Sequence, residues 1–144
     1  MSNTEGVKYR RHANFLLATL GRRVEHAWHS YLTSQNVTTA QFTIMVVLVD
    51  TELTQRELAD AVEVDPRNVS ATVKVLLDKG WIESRPSPTD RRARFLSATP
   101  RGLQWWETIQ EQLSEQRKEF FAALDEEELR NLEGLLLRLE GREN

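Results

Sequence analysis

The chain has no cysteine, which excludes disulfides, thiolate metal sites and thiol-based redox sensing. No run approaches the roughly 18 apolar residues of a membrane span, and no charged-then-apolar leader opens the sequence. A cytoplasmic protein without membrane association is expected. Only six glycines and four prolines occur, with no internal repeat, low-complexity tract or linker long enough to separate domains. The three histidines lie between positions 12 and 29. His26 and His29 are three apart beside Glu25, but no fourth ligand accompanies them, so neither a metal nor another cofactor is expected. No nucleophile stands beside a base and no glycine-rich phosphate loop occurs, which argues against an enzyme.

What remains is an ordinary globular composition, 40% hydrophobic and 28% charged, in 144 residues that suit one domain. The net charge of −3 hides a strong asymmetry. Arg67 to Arg101 holds eight Lys/Arg against three Asp/Glu, whereas Gly102 to Asn144 holds five against eleven. Contact with phosphate depends on charge within a Debye length of about 8–10 Å, so a cationic middle section matters more than the total. An acidic C-terminal part would steer DNA toward that middle.

Residues 1–6 are polar and expected to fray. From Val7 to about Thr33, Tyr9, Ala13, Leu16, Leu20, Val24, Ala27 and Tyr31 recur at helical spacing, and Leu17, Trp28 and Leu32 widen the stripe. Such a helix is buried on two sides, which points to a partner subunit. A second helix, Thr39 to Asp50, is almost wholly apolar and belongs in the core. Thr54 and Glu57 form a capping box opening a helix to about Val62, with Leu58, Ala59 and Val62 inward. A short turn at Glu63 and Val64 follows. After a hairpin, Thr99-Pro100 starts a helix to about Ala123 carrying Leu103, Trp106, Ile109, Leu113 and Phe120. Asp125 to Glu128 then opens a last helix with a leucine stripe: Leu129, Leu132, Leu135, Leu136 and Leu139.

The stretch DPRNVSATVKVLLDKGWIESRPSPTDRRAR, Asp65 to Arg94, holds the chemistry. Asp65 is a good N-cap, Pro66 suits the first helical position, and Gly80 can end the helix at positive φ. Val69, Val73, Leu76 and Leu77 make one apolar face. The other carries Arg67, Asn68, Ser70, Ala71, Thr72 and Lys74. Small residues permit close approach to a surface, while Arg and Asn can read purine edges bidentately. Arg67 and Asn68 are expected at bases, and Ser70, Thr72 and Lys74 at phosphates. Trp81–Ser84 and Phe95–Ala98 read as paired strands around a loop with Pro86, Pro88, Asp90, Arg91, Arg92 and Arg94. With Arg85, that places four arginines between positions 85 and 94, more than solubility requires. Two short helices joined by a tight turn, then a cationic hairpin, match a helix-turn-helix with a wing, and so a binder of double-stranded DNA.

The order of elements and several motifs resemble the multiple-antibiotic-resistance regulator (MarR) family of winged-helix repressors. The resemblance covers about residues 8–140. It is carried by Leu58-Ala59, Val69-Ser70, Thr72, Leu76, Leu77, Gly80, Ile82 with Arg85, Asp90-x-Arg92, Leu96 and Thr99-x-x-Gly102. It implies a mainly α fold of about six helices with a two- or three-stranded wing. The whole of 1–144 would be one MarR-type domain: a winged helix-turn-helix over about 37–99, and a helical dimerisation region from about 7–36 and 100–141. In the implied homodimer two winged domains reach adjacent major grooves of a pseudo-palindromic operator, roughly 34–36 Å apart. Asp90 would orient Arg92 into the minor groove, whose narrow A·T tracts concentrate negative potential. The resemblance also implies an effector cavity for a small aromatic or phenolic compound. Trp28, Phe42, Trp106 and Leu113 are candidates to line it, and Arg22 to meet a carboxylate.

The expected function is therefore a ligand-responsive, sequence-specific transcriptional regulator, most simply a repressor. Two alternatives stay open: a winged helix used for protein–protein contact, and a DNA binder without site preference. A protein interface would deplete charge at its centre, against the arginine cluster. Competition by random duplex separates the second.

Overall fold

The computed structural model describes residues 8–62 and 65–141, so the expected fraying of residues 1–6 and the turn at Glu63–Val64 lie outside the described residues. Among the described residues are six helices and a three-stranded sheet. The helices are α1 (Ala13–Ser34), α2 (Thr39–Leu48), α3 (Gln55–Val62), α4 (Pro66–Asp78), α5 (Pro100–Phe120) and α6 (Glu126–Leu139). The strands are β1 (Leu53–Thr54), β2 (Ile82–Pro86) and β3 (Arg94–Ala98). The chain packs as two units, residues 1–111 and 112–144.

In the first unit, the expected long helix is broken once: Lys8 and Tyr9 are helical, the chain turns over Arg10–His12, and α1 proper runs from Ala13, while Val7 lies outside the described residues. His12 is extended at φ −75°, ψ 145°, after a turn in which its N–H donates to the Tyr9 carbonyl at 2.9 Å. The helix ends through Asn36 at φ 57°, with the Val37 N–H on the Leu32 carbonyl at 2.9 Å. Asn tolerates this left-handed conformation better than most residues. A capping box then starts α2: the Gln41 N–H donates to Thr38 Oγ1 at 3.1 Å, and the Thr38 N–H to Gln41 Oε1 at 3.4 Å.

Ile44, Met45 and Leu48 of α2 form the centre of the core with Leu58, Val69, Val73, Leu76, Ile82 and Leu96. Thus α2 lies against both α3 and α4, as its all-round apolar sequence requires. It stops at Leu48, two residues short of the expected Asp50. The Thr54–Glu57 box forms as expected, with the Glu57 N–H on Thr54 Oγ1 at 3.2 Å.

The sheet order is β1-β3-β2, all antiparallel. Pairing of β2 with β3 runs from Ile82↔Ala98 to Pro86↔Arg94, so Pro86 and Arg94 belong to the ladder and not to the loop. Proline is tolerated there because β2 is an edge strand, with no neighbour on its far side to receive an N–H. Leu53↔Leu96 and Thr54↔Phe95 add the short third strand.

The motif Thr99-x-x-Gly102 fixes how α5 meets this layer. Thr99 Oγ1 donates to the Gly80 carbonyl at 2.6 Å and accepts from the Gly102 N–H at 3.1 Å, while the Thr99 N–H reaches the Trp81 carbonyl at 2.9 Å. A Cβ on Gly102 would lie 2.0 Å from the Trp81 carbonyl oxygen. Only glycine allows that approach.

In the second unit, Asp125 and Glu128 form a capping box ahead of α6, and Arg117 pairs with Glu133. Helix α5 ends at Phe120, before the expected Ala123. No residue of α6 is buried, and Leu135, Leu136, Leu137 and Leu139 are all exposed.

Gly102→Ala should lower unfolding stability by about 1–3 kcal/mol, because the added methyl meets backbone that cannot swing aside. Urea titration at fixed protein concentration measures it, and an unchanged midpoint would show the contact to be slack.

Candidate nucleic-acid interface

Helix α4 is built to show one side. Asp65 Oδ1 accepts the Arg67 N–H at 2.9 Å, with Pro66 at the first helical position. At the other end Gly80 takes φ +72°, and the Gly80 and Trp81 N–H groups donate to the carbonyls of Leu77 and Leu76 at 3.0 and 3.1 Å. This is a Schellman closure that leaves the chain free to enter β2. Val69, Val73 and Leu76 are buried. Arg67, Asn68, Ser70, Ala71 and Lys74 are exposed and Thr72 is half-buried. Arg67, Ala71 and Lys74, spaced four and three apart, point directly away from the core.

Leu77 departs from expectation. It is 38% exposed, at the edge of the apolar face, where it lines an open cleft of about 580 Å³ with Val73, Arg56, Arg92, Arg94 and Asp90. At about 100° per residue, Leu77 lies too far round from Val69 and Leu76 to be covered by α2.

The wing tip is shaped by two side chains. Ser87 Oγ accepts from the N–H groups of Thr89 and Asp90 at 3.3 and 3.1 Å. Asp90 Oδ1 accepts from the Arg92 N–H at 2.9 Å. Asp90 therefore acts on the Arg92 backbone rather than on its guanidinium, since a carboxylate two residues back is placed to close an Asx turn. Sequence reasoning misses Ser87, whose signal is the pattern Ser-Pro-Thr-Asp at the tip.

The arginines fall into two pairs. Arg94 Nε donates to Ser84 Oγ at 2.8 Å, and its Nη2 to the Ser84 carbonyl at 3.1 Å. Arg85 donates through Nε and Nη2 to both carboxylate oxygens of Glu52. Those hydrogen bonds hold the Glu52 carboxyl below its usual range and raise Arg85 further. Arg91 and Arg92, like Arg67 and Lys74, enter no ion pair among the described residues.

The candidate effector residues separate. Trp28 meets Phe42 edge-on at 4.9 Å between centroids, and Phe42 lies 5.8 Å from Trp106. Trp28 Nε1 is buried with no hydrogen-bond partner among the described residues. Arg22 instead lines an open groove of about 910 Å³ along α1, with Thr19, Arg23, Glu25, His26 and His29. Six residues on from Arg22, Trp28 is about 120° round the helix. Leu113 is half-buried and belongs to the second unit. Among the described residues no three His, Asp or Glu side chains gather as a metal would require, and no helix is long and apolar enough to cross a membrane.

A helix-turn-helix core, an outward polar helix and a cationic three-stranded wing together define a winged helix-turn-helix protein. The family model described as "MarR family" matches residues 35–93. A protein of Thauera aromatica named for regulation of the hcr operon is 36% identical over 108 residues, covering 74% of this chain and 65% of that protein's length. Wild-type apo MarR from E. coli has 26% identity and a TM-score of 0.73, covering 89% of this chain and 96% of the other. A cysteine-to-serine mutant of E. coli MarR complexed with operator DNA shares the fold at 22% identity and a TM-score of 0.71, covering 96% of this chain and 99% of the other. In sequence over residues 35–93 and in fold, the chain is similar to the MarR family.

Replacing Asp90 by Ala should leave the Arg92 amide without its acceptor. Its hydrogen exchange, followed by NMR, is expected to rise about fivefold, equivalent to ~1 kcal/mol for a lost hydrogen bond.

Proposed function

We propose that this protein is a DNA-binding transcriptional regulator acting as a homodimer on a pseudo-palindromic operator. The observation that carries the reading is the cationic face of α4 and the wing. Arg67, Lys74, Arg91 and Arg92 stand unpaired among the described residues, on elements held rigid by caps and turns. The operator complex of the related fold supports this docking. Arg67 and Asn68 meet base edges, Ala71 permits close approach, and Ser70, Thr72 and Lys74 meet phosphate. Arg91 and Arg92 follow the adjacent minor groove, with Asp90 setting their turn and Arg94 bracing the hairpin.

A dimer is supported by apolar surface that each unit leaves open. Leu16, Leu17, Leu20 and Val24 of α1 are exposed, as are Leu135, Leu136, Leu137 and Leu139 of α6. Patches of this kind on a soluble chain mark an interface. Helices α1 and α6 would then supply it, in keeping with the dimers typical of the family.

The protein responds to a small aromatic or phenolic effector bound at the Trp28–Phe42–Trp106 cluster. The unpartnered indole N–H of Trp28 supports a ligand carrying an oxygen acceptor, because a buried donor without a partner costs about 1–3 kcal/mol. A ligand favouring a dimer whose wings do not match the half-site spacing would relieve repression.

Arg67→Ala should weaken binding to the duplex upstream of the protein's own gene by ~1–3 kcal/mol while changing binding to random duplex far less. Equal losses on both duplexes in fluorescence anisotropy would remove Arg67 from base readout. Salicylate should quench tryptophan emission and release the DNA, with both effects weakened in Trp28→Phe; a flat titration counts against this ligand class.

A further inference from the structure

Arg85 differs from the unpaired arginines in what it spans. Thr54 of β1, Phe95 of β3 and Arg85 of β2 occupy one row across the sheet. The Arg85 guanidinium carbon lies 5.8 Å from the Phe95 ring centroid, and its fork closes on Glu52, the residue just ahead of β1. One side chain thus crosses the middle strand and ties the outer strand of the wing to the segment entering α3.

The tie falls where the sheet has its shortest strand. Strand β1 has two paired residues, and Thr54 also caps α3, so β1 joins the sheet's edge to the helix-turn-helix. An exposed pair contributes little to global stability, and these side chains are 54% and 31% exposed. A bidentate Arg–carboxylate contact is planar and directional, however, so it restricts rotation even where it stabilises little.

We propose that Glu52 and Arg85 are positioning residues for DNA binding: the strap sets the wing's angle to α4, and Arg85 makes no phosphate contact of its own. This rests on the DNA-binding reading above. Glu52 neutralises Arg85 locally, leaving Arg91, Arg92 and the Ser84-bound Arg94 as the wing's arginines outside any ion pair among the described residues.

The test is anisotropy titration of the full-length protein on its upstream duplex across a salt series. The variants are Glu52→Gln, Arg85→Ala, Arg85→Lys and the double Glu52→Gln/Arg85→Ala. Each single variant is expected to lose about three- to thirtyfold in affinity, with the double no worse than the worse single, the signature of coupled partners. The slope of log K against log salt should stay at the parent value. Arg85→Lys should lose as much as Arg85→Ala, since lysine keeps the charge but not the fork. A slope shallower by about 0.9 in Arg85→Ala, with Arg85→Lys retaining affinity, would make Arg85 a phosphate ligand and overturn the strap. Additive losses in the double variant would also overturn it. Circular dichroism melts of each variant separate loss of fold from loss of docking, and Arg85→Lys, the mildest change, stands if another fails to fold. A parent chain that binds neither operator nor random duplex would instead overturn the DNA-binding reading, and the strap with it.

Discussion

The outward polar and cationic face of α4 depends on the burial of the other side of this thirteen-residue helix. Val69, Val73 and Leu76 sit in a core made largely by α2, and burying each such side chain favours the native state by about 1.5–3 kcal/mol. Turning α4 by one residue, about 100°, would bring polar or cationic groups into that core with no partners. The outward direction of Arg67, Ala71 and Lys74 is thus the other half of the same packing constraint. The cationic face is made of groups the core rejects.

The C-terminal end of α4 is where separate parts of the first unit converge. Gly80 turns the chain, Thr99 holds the Gly80 carbonyl, and the missing side chain of Gly102 lets α5 rest on Trp81. Trp81 stacks on Trp105 at 4.3 Å, and Lys79 Nζ sits 4.5 Å over the Trp81 ring while donating to Gln41 Oε1 at 3.3 Å. Gln41 in turn caps α2 one residue before Phe42. The aromatic cluster around Trp28 and the C-terminal end of α4 therefore share a chain of direct contacts: Trp28, Phe42, Trp106, Trp105 and Trp81.

Much of this is legible residue by residue. Caps act within four positions, so Asp65, Thr54, Asp125 and Gly80 announce the ends they make. The buried face of α4 follows from spacing, apart from Leu77, whose place at the edge of the stripe depends on what α2 can cover. Strand β1 escapes a reading by pattern because two residues carry no alternation to detect. Periodicity does not show the break at Arg10–His12, because the apolar repeat of Tyr9, Ala13 and Leu16 runs across it unchanged. Glu52 is invisible as a site residue, since its partner is thirty-three positions away and neither is unusual alone.

By itself the order of amino acids determined the helices, their caps, the polar outer face of α4 and the cationic character of the wing. Each of these follows from interactions between near neighbours or from a period along one element. Tertiary structure alone decided which wing arginines are engaged and which are not, and that Glu52 is the partner of Arg85 and Ser84 that of Arg94. Those outcomes depend on distances between segments remote in the chain, and a pairing across a sheet leaves no mark on either segment read alone.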